Sequence, residues 1–545
     1  MIRILPMGGL GEFGMNSLAL KFKTWFLIDM GLSFSKDRRL GVDFVVPNKK
    51  QLERIYSEGL GGILITHAHE DHIGALPYLY AHNIPVYASP FAASLIETKF
   101  QEAKLPVNLV QIEKNKIYEL EPELTAEWIP IEHSIPQSHA LLLKNKETRI
   151  LHTGDFKFPL NSSITQEFIQ KFKSKSVDLL FSDSTNCNLP KNKVSESEVI
   201  QTIKEASKHT KGRIIITVFP SNIERIAALA KLASELSRKI FVCGKSFFKY
   251  FKADQYADFL LEEASILPQE EISYHYPHQS IVLVSGSQGE MTSALHQIAF
   301  EQHPHLKFTE QDLFIYSAKI IPQNITGVQK CLNRIAASGA TILKPEAAPL
   351  HSSGHPSQED CQNLMIHTRP RFFIPIHGSL ENLYKHEKLA RSLEPPPIET
   401  LVLKNQQLVS WCPKGGFSDL SPQSDPPSLY RNNPQGNPTE VERNALQKTR
   451  ALLKQGGVLI SCIASHSLSI KISPLHRIEP PVLSAIEAWA SSPLLKKELK
   501  RLATLNQEAP LDFPKEEALL GEALAHHLER HSLSPPVAFV HLHLD

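Results

Sequence analysis

No two of the six cysteines (Cys187, Cys243, Cys331, Cys361, Cys412 and Cys462) stand in a CxxC pair. That spacing excludes a thiolate zinc knuckle and argues against the disulfide framework of a small secreted domain. Also missing is any apolar run near the roughly 18 residues a membrane span needs. The first residues lack the basic-then-apolar pattern of a secretory signal, so no membrane association and a cytoplasmic location are expected. Charge of one sign is missing too: 58 Lys and Arg against 57 Asp and Glu leave a net charge of +1. No global field announces a nucleic-acid partner, and any such site has to be a local patch or groove. What the chain does have is length. Its 545 residues, 42% hydrophobic and 21% charged, are those of an ordinary globular protein with room for two to four domains. It also has 25 histidines, so a lone His carries little meaning.

One compact motif stands apart from that background: Thr66-His67-Ala68-His69-Glu70-Asp71-His72, delivered by the apolar run Ile63-Leu64-Ile65 and followed by Gly74. The run reads as a buried strand, being too short for a buried helix. While the chain stays extended, His67 and His69 point to the same side. Asp71 and His72 follow where a helix can begin. Four strong ligands within six positions can serve two metal ions, the first pair facing one and the second pair the other. Neutral imidazole and carboxylate suit zinc and similar divalent ions. The plainer reading, a polar turn with incidental histidines, fits this motif poorly because of its strand-end position.

Three further stretches have the same form, an apolar run ending on a ligand. Ile129-Pro130-Ile131-Glu132-His133 presents His133, Ile150-Leu151-His152-Thr153-Gly154-Asp155 presents Asp155, and Phe372-Phe373-Ile374-Pro375-Ile376-His377 presents His377. Dispersed ligands that each sit at a strand end suggest convergence in space.

Together these stretches resemble the metallo-β-lactamase superfamily, and more narrowly the ribonuclease J family of its β-CASP branch. The resemblance begins at Pro6-Met7-Gly8-Gly9-Leu10-Gly11-Glu12-Phe13-Gly14-Met15-Asn16. It runs through His133-Ser134-Ile135-Pro136, Thr153-Gly154-Asp155, Asp183-Ser184-Thr185-Asn186, Phe219-Pro220-Ser221-Asn222, Gly286-Ser287-Gln288-Gly289 and Ser353-Gly354-His355 to Pro375-Ile376-His377-Gly378. It covers nearly the first 410 residues in the family's order. It implies an α/β protein: an αββα core formed by residues 1–195 and 350–412, a β-CASP α/β domain at 196–349, a linker at 413–440 and a small C-terminal α/β domain at 441–545. The glycines near the N-terminus are only superficially a dinucleotide loop, since such a loop opens directly into a helix and here a strand follows.

Residues 196–349 alternate strand, polar loop and helix, the rhythm of a mainly parallel sheet. Ligands of such sheets bind beyond the carboxyl ends of the strands. Ser221, Asn222, Lys245 and Ser287 fall at those ends and are candidate RNA-phosphate contacts, although Ser and Asn there also cap helices. His351, Ser353 and His355 follow as further candidates. Residues 413–440, rich in Pro, Ser, Asn and Gly, read as an extended linker. The C-terminal region carries no chemical motif and reads as a packing or dimerisation module.

The resemblance also implies a chemistry. His67, His69 and His133 would hold one ion, and Asp71, His72 and His377 the other, with Asp155 between them; zinc comes first among the metals, with manganese or magnesium as alternatives. His355 would contact phosphate and protonate the leaving group, Asp71 would share in catalysis, and Asp183 would orient a ligand histidine, a role open to Asp29 as well. The activity implied is hydrolysis of single-stranded RNA, preferably bearing a 5′-monophosphate, from 5′ ends and also internally, in RNA maturation and decay, by a homodimer or homotetramer. Two readings compete with it: a DNA nuclease on the same fold, and a non-catalytic RNA-binding partner of an active paralogue. The chain departs from the family at Gln137, Lys245, Ser379-Leu380 and Ile320-Ile321-Pro322-Gln323-Asn324; no metal ligand is lost, and the departures bear on the substrate channel.

Overall fold

The computed structural model describes the chain except for residues 35–41, 82, 192–193, 257–265, 322–323, 421–426, 433–437, 441–456, 465–467, 477–479, most of 494–536, and 545. Contacts divide it into two compact units, the larger comprising Met1–Lys36 and Phe44–Ser428.

Two sheets face each other in that larger unit. The first has eight strands, in the order Gly416–Asp419, Val409–Cys412, Ile2–Gly8, Ser17–Lys21, Trp25–Ile28, Leu60–Leu64, Pro85–Ala88 and Asn108–Gln111. The second has seven: Ile117–Glu121, Leu124–Pro130, His139–Lys144, Arg149–His152, Leu179–Asp183, Phe372–Ile376 and Glu399–Thr400. One apolar layer joins them, with Ile4, Leu20, Phe26 and Leu64 from the first sheet against Trp128, Leu141, Ile150, Phe181 and Ile374 from the second. A second layer, with Leu142, Leu151, Leu180 and Phe373, lies under the helices Ser163–Phe172 and Gln358–Thr368, which contribute Phe168, Phe172, Leu364 and Met365. Helices Lys49–Ser57 and Pro90–Ala103 pack on the outer side of the first sheet. These layers form the expected αββα sandwich. Central strands such as Leu179–Asp183 and Phe372–Ile376 are buried along their whole length, which is why they read as continuous apolar runs.

Residues 214–343 build a separate six-stranded sheet, in the order Ile266–Pro268, Lys239–Cys243, Ser280–Val284, Ile214–Thr217, Leu313–Tyr316 and Thr341–Leu343, every pair parallel. Its helix Ile223–Glu235 buries Ile226, Leu229 and Ala233 on one face. After this sheet the chain returns: Phe372–Ile376 pairs in parallel with Leu179–Asp183, and Val409–Cys412 pairs antiparallel with Ile2–Gly8. Arg225 ties the two parts together. Only 1% exposed, it grips Glu196 at 2.9 and 2.7 Å and donates to the carbonyls of Ser317 (3.0 Å) and Ser352 (3.5 Å).

The segment expected to be an extended linker is different. Gly416–Asp419 continues the first sheet beside Val409–Cys412, and Ser428–Asn432 and Pro438–Glu440 pair with each other. A proline-rich composition removes ladder donors without forbidding short edge strands. In the second unit Gly457–Ala464 pairs antiparallel with Leu468–His476 and parallel with Val537–Leu544, and a helix covers Pro480–Ala490. The sequence reads as helical over 441–453 and 514–531, and the first of these stretches and most of the second lie outside the described residues.

Candidate metal centre

The histidine motif is held from below by one buried carboxylate. Asp29, 1% exposed and at φ 61°, accepts from the Thr66 amide (2.8 Å), the Thr66 hydroxyl (2.7 Å) and His72 Nδ1 (2.8 Å). The turn after the strand Leu60–Leu64 is thereby tied to the ring of His72 before the short helix Glu70–Ile73 begins. Gly31 packs so close to this helix that a Cβ there would lie 1.6 Å from the Asp71 carbonyl oxygen, so no larger residue fits. Asn16 closes the other side, its amide nitrogen 3.1 Å from Asp71 Oδ2 and 3.0 Å from His72 Nε2.

The dispersed candidate residues do come together in space. The donor atoms of His67, His69, His133 and Asp155 lie within 4.8 Å of one another, as do those of Asp71, His72, Asp155 and His377. A third such group joins Asp155, Asp183, His355 and His377. Asp155 belongs to all three. His133 is aimed by its Nδ1–H, which donates to the Gly354 carbonyl at 2.6 Å; His377, at φ 50°, donates from Nδ1 to Asp155 Oδ1 at 2.8 Å. A non-glycine residue in the left-handed region costs backbone energy that the surroundings must offset, a feature concentrated at functional sites. Partners of this kind fix the tautomer of a ligand histidine.

Whether a pair of metal ions suits these residues can be judged from Asp155 Oδ2. This oxygen is sealed from solvent and, among the described residues, has no well-aligned hydrogen-bond donor, although His72 Nε2 lies 3.3 Å away. Around it stand His72 Nε2 at 3.3 Å, His355 Nδ1 at 3.6 Å, His67 Nε2 at 3.7 Å and His133 Nε2 at 3.8 Å. A buried carboxylate oxygen without a donor is costly unless a cation completes it. His69 Nδ1 lies 3.1 Å from both His67 Nε2 and His133 Nε2, so three ring nitrogens meet at one point. The donor set fits two divalent ions sharing Asp155.

Electrostatics divide the two halves. Burial pushes His67 and His133 well below the usual imidazole range, and His69 down to about 4, which keeps these rings neutral as ligands must be. Burial also pulls on His72 and His377, but Asp155 and Asp71 outweigh it for both, joined by Asp29 for His72 and by Asp183 for His377. His72 is raised well above its ordinary value, and His377 is raised to about 9. A raised folded pKa gives stability that is complete below the unfolded value of about 6.5 and is lost as pH climbs through about 9. The depressed histidines are neutral in the folded state across that window; their unfolded rings lose their last protons just above 6.5, which adds a small rise of the opposite sign. Chelator-treated protein is therefore expected to melt lower at pH 9 than at pH 6.5. Metal loading, which must displace these protons, should tighten over the same range and release protons. Thermal melts and calorimetric titrations in buffers of different ionisation enthalpy check this. A flat melting temperature together with pH-independent affinity would contradict it.

The other candidate residues divide. Asp183, expected to orient a ligand histidine, instead lies closest to His355: its Oδ2 accepts from His355 Nδ1 at 2.9 Å, while Oδ1 is 3.7 Å from His377 Nδ1. Ser353 accepts from the His355 amide (3.2 Å) and from Asn186 Nδ2 (2.7 Å). Asn222 caps the helix Ile223–Glu235, accepting from the Arg225 amide at 3.1 Å. Ser287 is buried and its carbonyl takes the Tyr316 hydroxyl. Lys245 is exposed at the start of the helix Lys245–Asp254. His351 Nδ1 is buried with no hydrogen-bond partner among the described residues. Sequence reasoning gave no role to Asn16, Asn186 or Tyr250. Tyr250 is raised well above its ordinary value by burial and by the charges of Glu70 and Asp71, which places the helix Lys245–Asp254 beside the metal motif.

Comparison with known proteins agrees with this geometry. Residues 24–217 match the family model of the beta-lactamase superfamily domain, and residues 211–335 match that of the Ribonuclease J beta-CASP domain. A Ribonuclease J from Helicobacter pylori (strain ATCC 700392 / 26695) is 35% identical over 404 residues, 72% of this chain and 58% of that protein. The chain thus spans little more than half the length of that relative. A Ribonuclease J from Thermus thermophilus is 31% identical over 418 residues, 74% of this chain and 73% of that protein. A crystal structure of a protein of unknown function from Enterococcus faecalis V583 covers 75% of this chain and 99% of its own, with a TM-score of 0.54 at 18% identity, a likeness of fold alone. Two domain models matched in succession, and relatives at least 30% identical over nearly three quarters of their own length, mean that this chain belongs to the ribonuclease J family.

Proposed function

We propose that this chain is a metal-dependent ribonuclease that hydrolyses phosphodiester bonds of single-stranded RNA, from 5′-monophosphate ends and also internally. The observation that carries the reading is Asp155 Oδ2, buried, without a well-aligned donor among the described residues, and ringed by four imidazoles. In this reading His67, His69 and His133 would hold one ion and Asp71, His72 and His377 the other, with Asp155 available to both. Zinc suits this nitrogen-rich set best. When bound, the pair supplies charge stabilisation for the attacked phosphate and acidifies a water.

The chain's own residues do the rest. Asp29 and the Gly354 carbonyl keep His72 and His133 aimed. Asp183 fixes one nitrogen of His355, so the proton for a leaving ribose oxygen comes from Nε2. Loops at the carboxyl edge of the six-stranded sheet, carrying Ser221 and the exposed Lys245, line the path of the RNA backbone. A cytoplasmic homodimer or homotetramer is part of the same reading.

The test is incubation of purified protein with end-labelled 5′-monophosphate RNA and with DNA of matched sequence, with and without chelator. Chelator-sensitive release of nucleotides from the RNA is expected. Cleavage of DNA but not RNA, or RNA binding without cleavage in the presence of zinc, manganese or magnesium, would overturn the reading.

A further inference from the structure

Lys319 sits three residues past the end of the strand Leu313–Tyr316, at the carboxyl edge of the parallel sheet. Its backbone is fixed on both sides. Its carbonyl accepts from Gln288 Nε2 at 2.9 Å, and Gln288 Oε1 accepts from the Ile321 amide at 3.0 Å. Two residues earlier, Arg225 holds the Ser317 carbonyl. From this anchored loop the lysine side chain crosses to the sandwich, where Nζ donates to Asn186 Oδ1 at 3.2 Å. Asn186 Nδ2 in turn donates to Ser353 Oγ, which also takes the amide of His355. The ammonium is thus two hydrogen bonds from the loop that carries the proposed acid.

Its electrostatic situation is unusual for a lysine. Lys319 is exposed to solvent, yet burial by surrounding protein lowers its pKa from the ordinary value. The wall of a cleft does both: solvent reaches the amine while protein removes part of its hydration. Among the described residues no carboxylate comes within 4.0 Å of Nζ. The neighbouring cation, Arg225, is already engaged by Glu196 at 2.9 and 2.7 Å. His351 nearby cannot supply an anion and is itself held neutral, pushed down to about 3 by burial and by the charges of Arg225 and Lys319. One accessible ammonium therefore has a neutral amide as its partner.

We propose that Lys319 is a phosphate-binding residue of the substrate groove, its ammonium holding a non-bridging oxygen of an RNA phosphate next to the one that His355 serves. The proposal rests on the ribonuclease reading and extends it to a residue outside the metal ligands. A point charge on a flexible stem suits a backbone whose position shifts as the chain advances. The anion gives Nζ a charged acceptor in place of the Asn186 amide, and charge-assisted hydrogen bonds are about twice as strong as neutral ones.

The experiment uses Lys319→Met and Lys319→Arg, each in a His355→Ala background so that the RNA stays whole. Probes are fluorescent single strands carrying either a 5′-monophosphate or a 5′-hydroxyl. Lys319→Met is expected to weaken binding roughly 10-fold and to reduce the slope of log K against log salt by about 0.7, the contribution of one phosphate contact on a single strand. Lys319→Arg should keep the slope, and neither variant should change metal content or melting temperature. Weakening with both probes assigns an internal phosphate; weakening with the 5′-monophosphate probe alone assigns the terminal one. Unchanged affinity and slope with both probes overturn the proposal. If the parent protein binds RNA but never cuts it, the ribonuclease reading fails, and the salt slope still decides the role of Lys319.

Discussion

His355→Ala is expected to keep both metal ions and nearly the parent melting temperature, while cutting RNA at a rate lower by roughly 10²-fold or more, the usual worth of a positioned acid or base. The structure places this side chain at the rim of the centre, 26% exposed, whereas its neighbours His67, His72 and His133 are almost fully buried. Truncation there opens a space that solvent can enter rather than a dry cavity, so the stability cost is small. His355 does lie within a ligand-like group with Asp155, Asp183 and His377. Its Nδ1, the nitrogen nearest Asp155, is committed to Asp183 at 2.9 Å. That hydrogen bond orients the ring and leaves Nε2 as the nitrogen turned away from Asp183, the arrangement of an acid–base group. Three measurements on the variant separate the roles: metal content, melting temperature and single-turnover cleavage. Loss of one equivalent of metal would make His355 a ligand, and undiminished cleavage would place the proton source elsewhere.

Much of this site was legible in the chain because its ligands end strands that are buried on both faces. Such strands are continuous apolar runs, and a polar residue at the end of one stands out, as His133, Asp155 and His377 do. The partners that aim those ligands leave no such signal. His133 is oriented by the Gly354 carbonyl, 221 residues away, and Asp183 meets His355 across 172. No local period or spacing encodes contacts of that range, and a backbone carbonyl has no residue type at all. Asn16 and Asn186 were hidden for the same reason: each is a polar residue in a loop until the fold brings a ligand or a catalytic side chain beside it. The strand Gly416–Asp419 was hidden differently, because glycine and proline around it carry the composition of a linker while its pairing depends on the distant Val409–Cys412 edge. The strands were legible from their apolar runs and the sandwich from the family resemblance; the fine positioning of the site followed from tertiary contacts.

Asp155→Asn is expected to have the largest effect of any single change. The substitution is isosteric and keeps Oδ1, so the hydrogen bond from His377 Nδ1 at 2.8 Å survives and the packing between the sheets is preserved. What changes is Oδ2, which becomes an amide nitrogen pointing its protons at His72, His67, His133 and His355, all within 3.8 Å. The anion shared by both ligand groups is gone, and a donor stands where a cation should sit. Both ions should weaken together, in contrast to His69→Ala, which removes a ligand from one group only. Metal ions contribute several kcal/mol of charge stabilisation in such sites, so cleavage should fall by about 10³-fold or more. The metal-free protein has its own signature. His377 is raised to about 9 chiefly against burial by the Asp155 charge, so without it the ring should titrate lower and the loss of stability between pH 6.5 and 9 should flatten. Elemental analysis, cleavage assays and melts across that pH range test the three expectations separately. A variant that still holds about two equivalents of metal would mean that Asp155 does not bridge the centre.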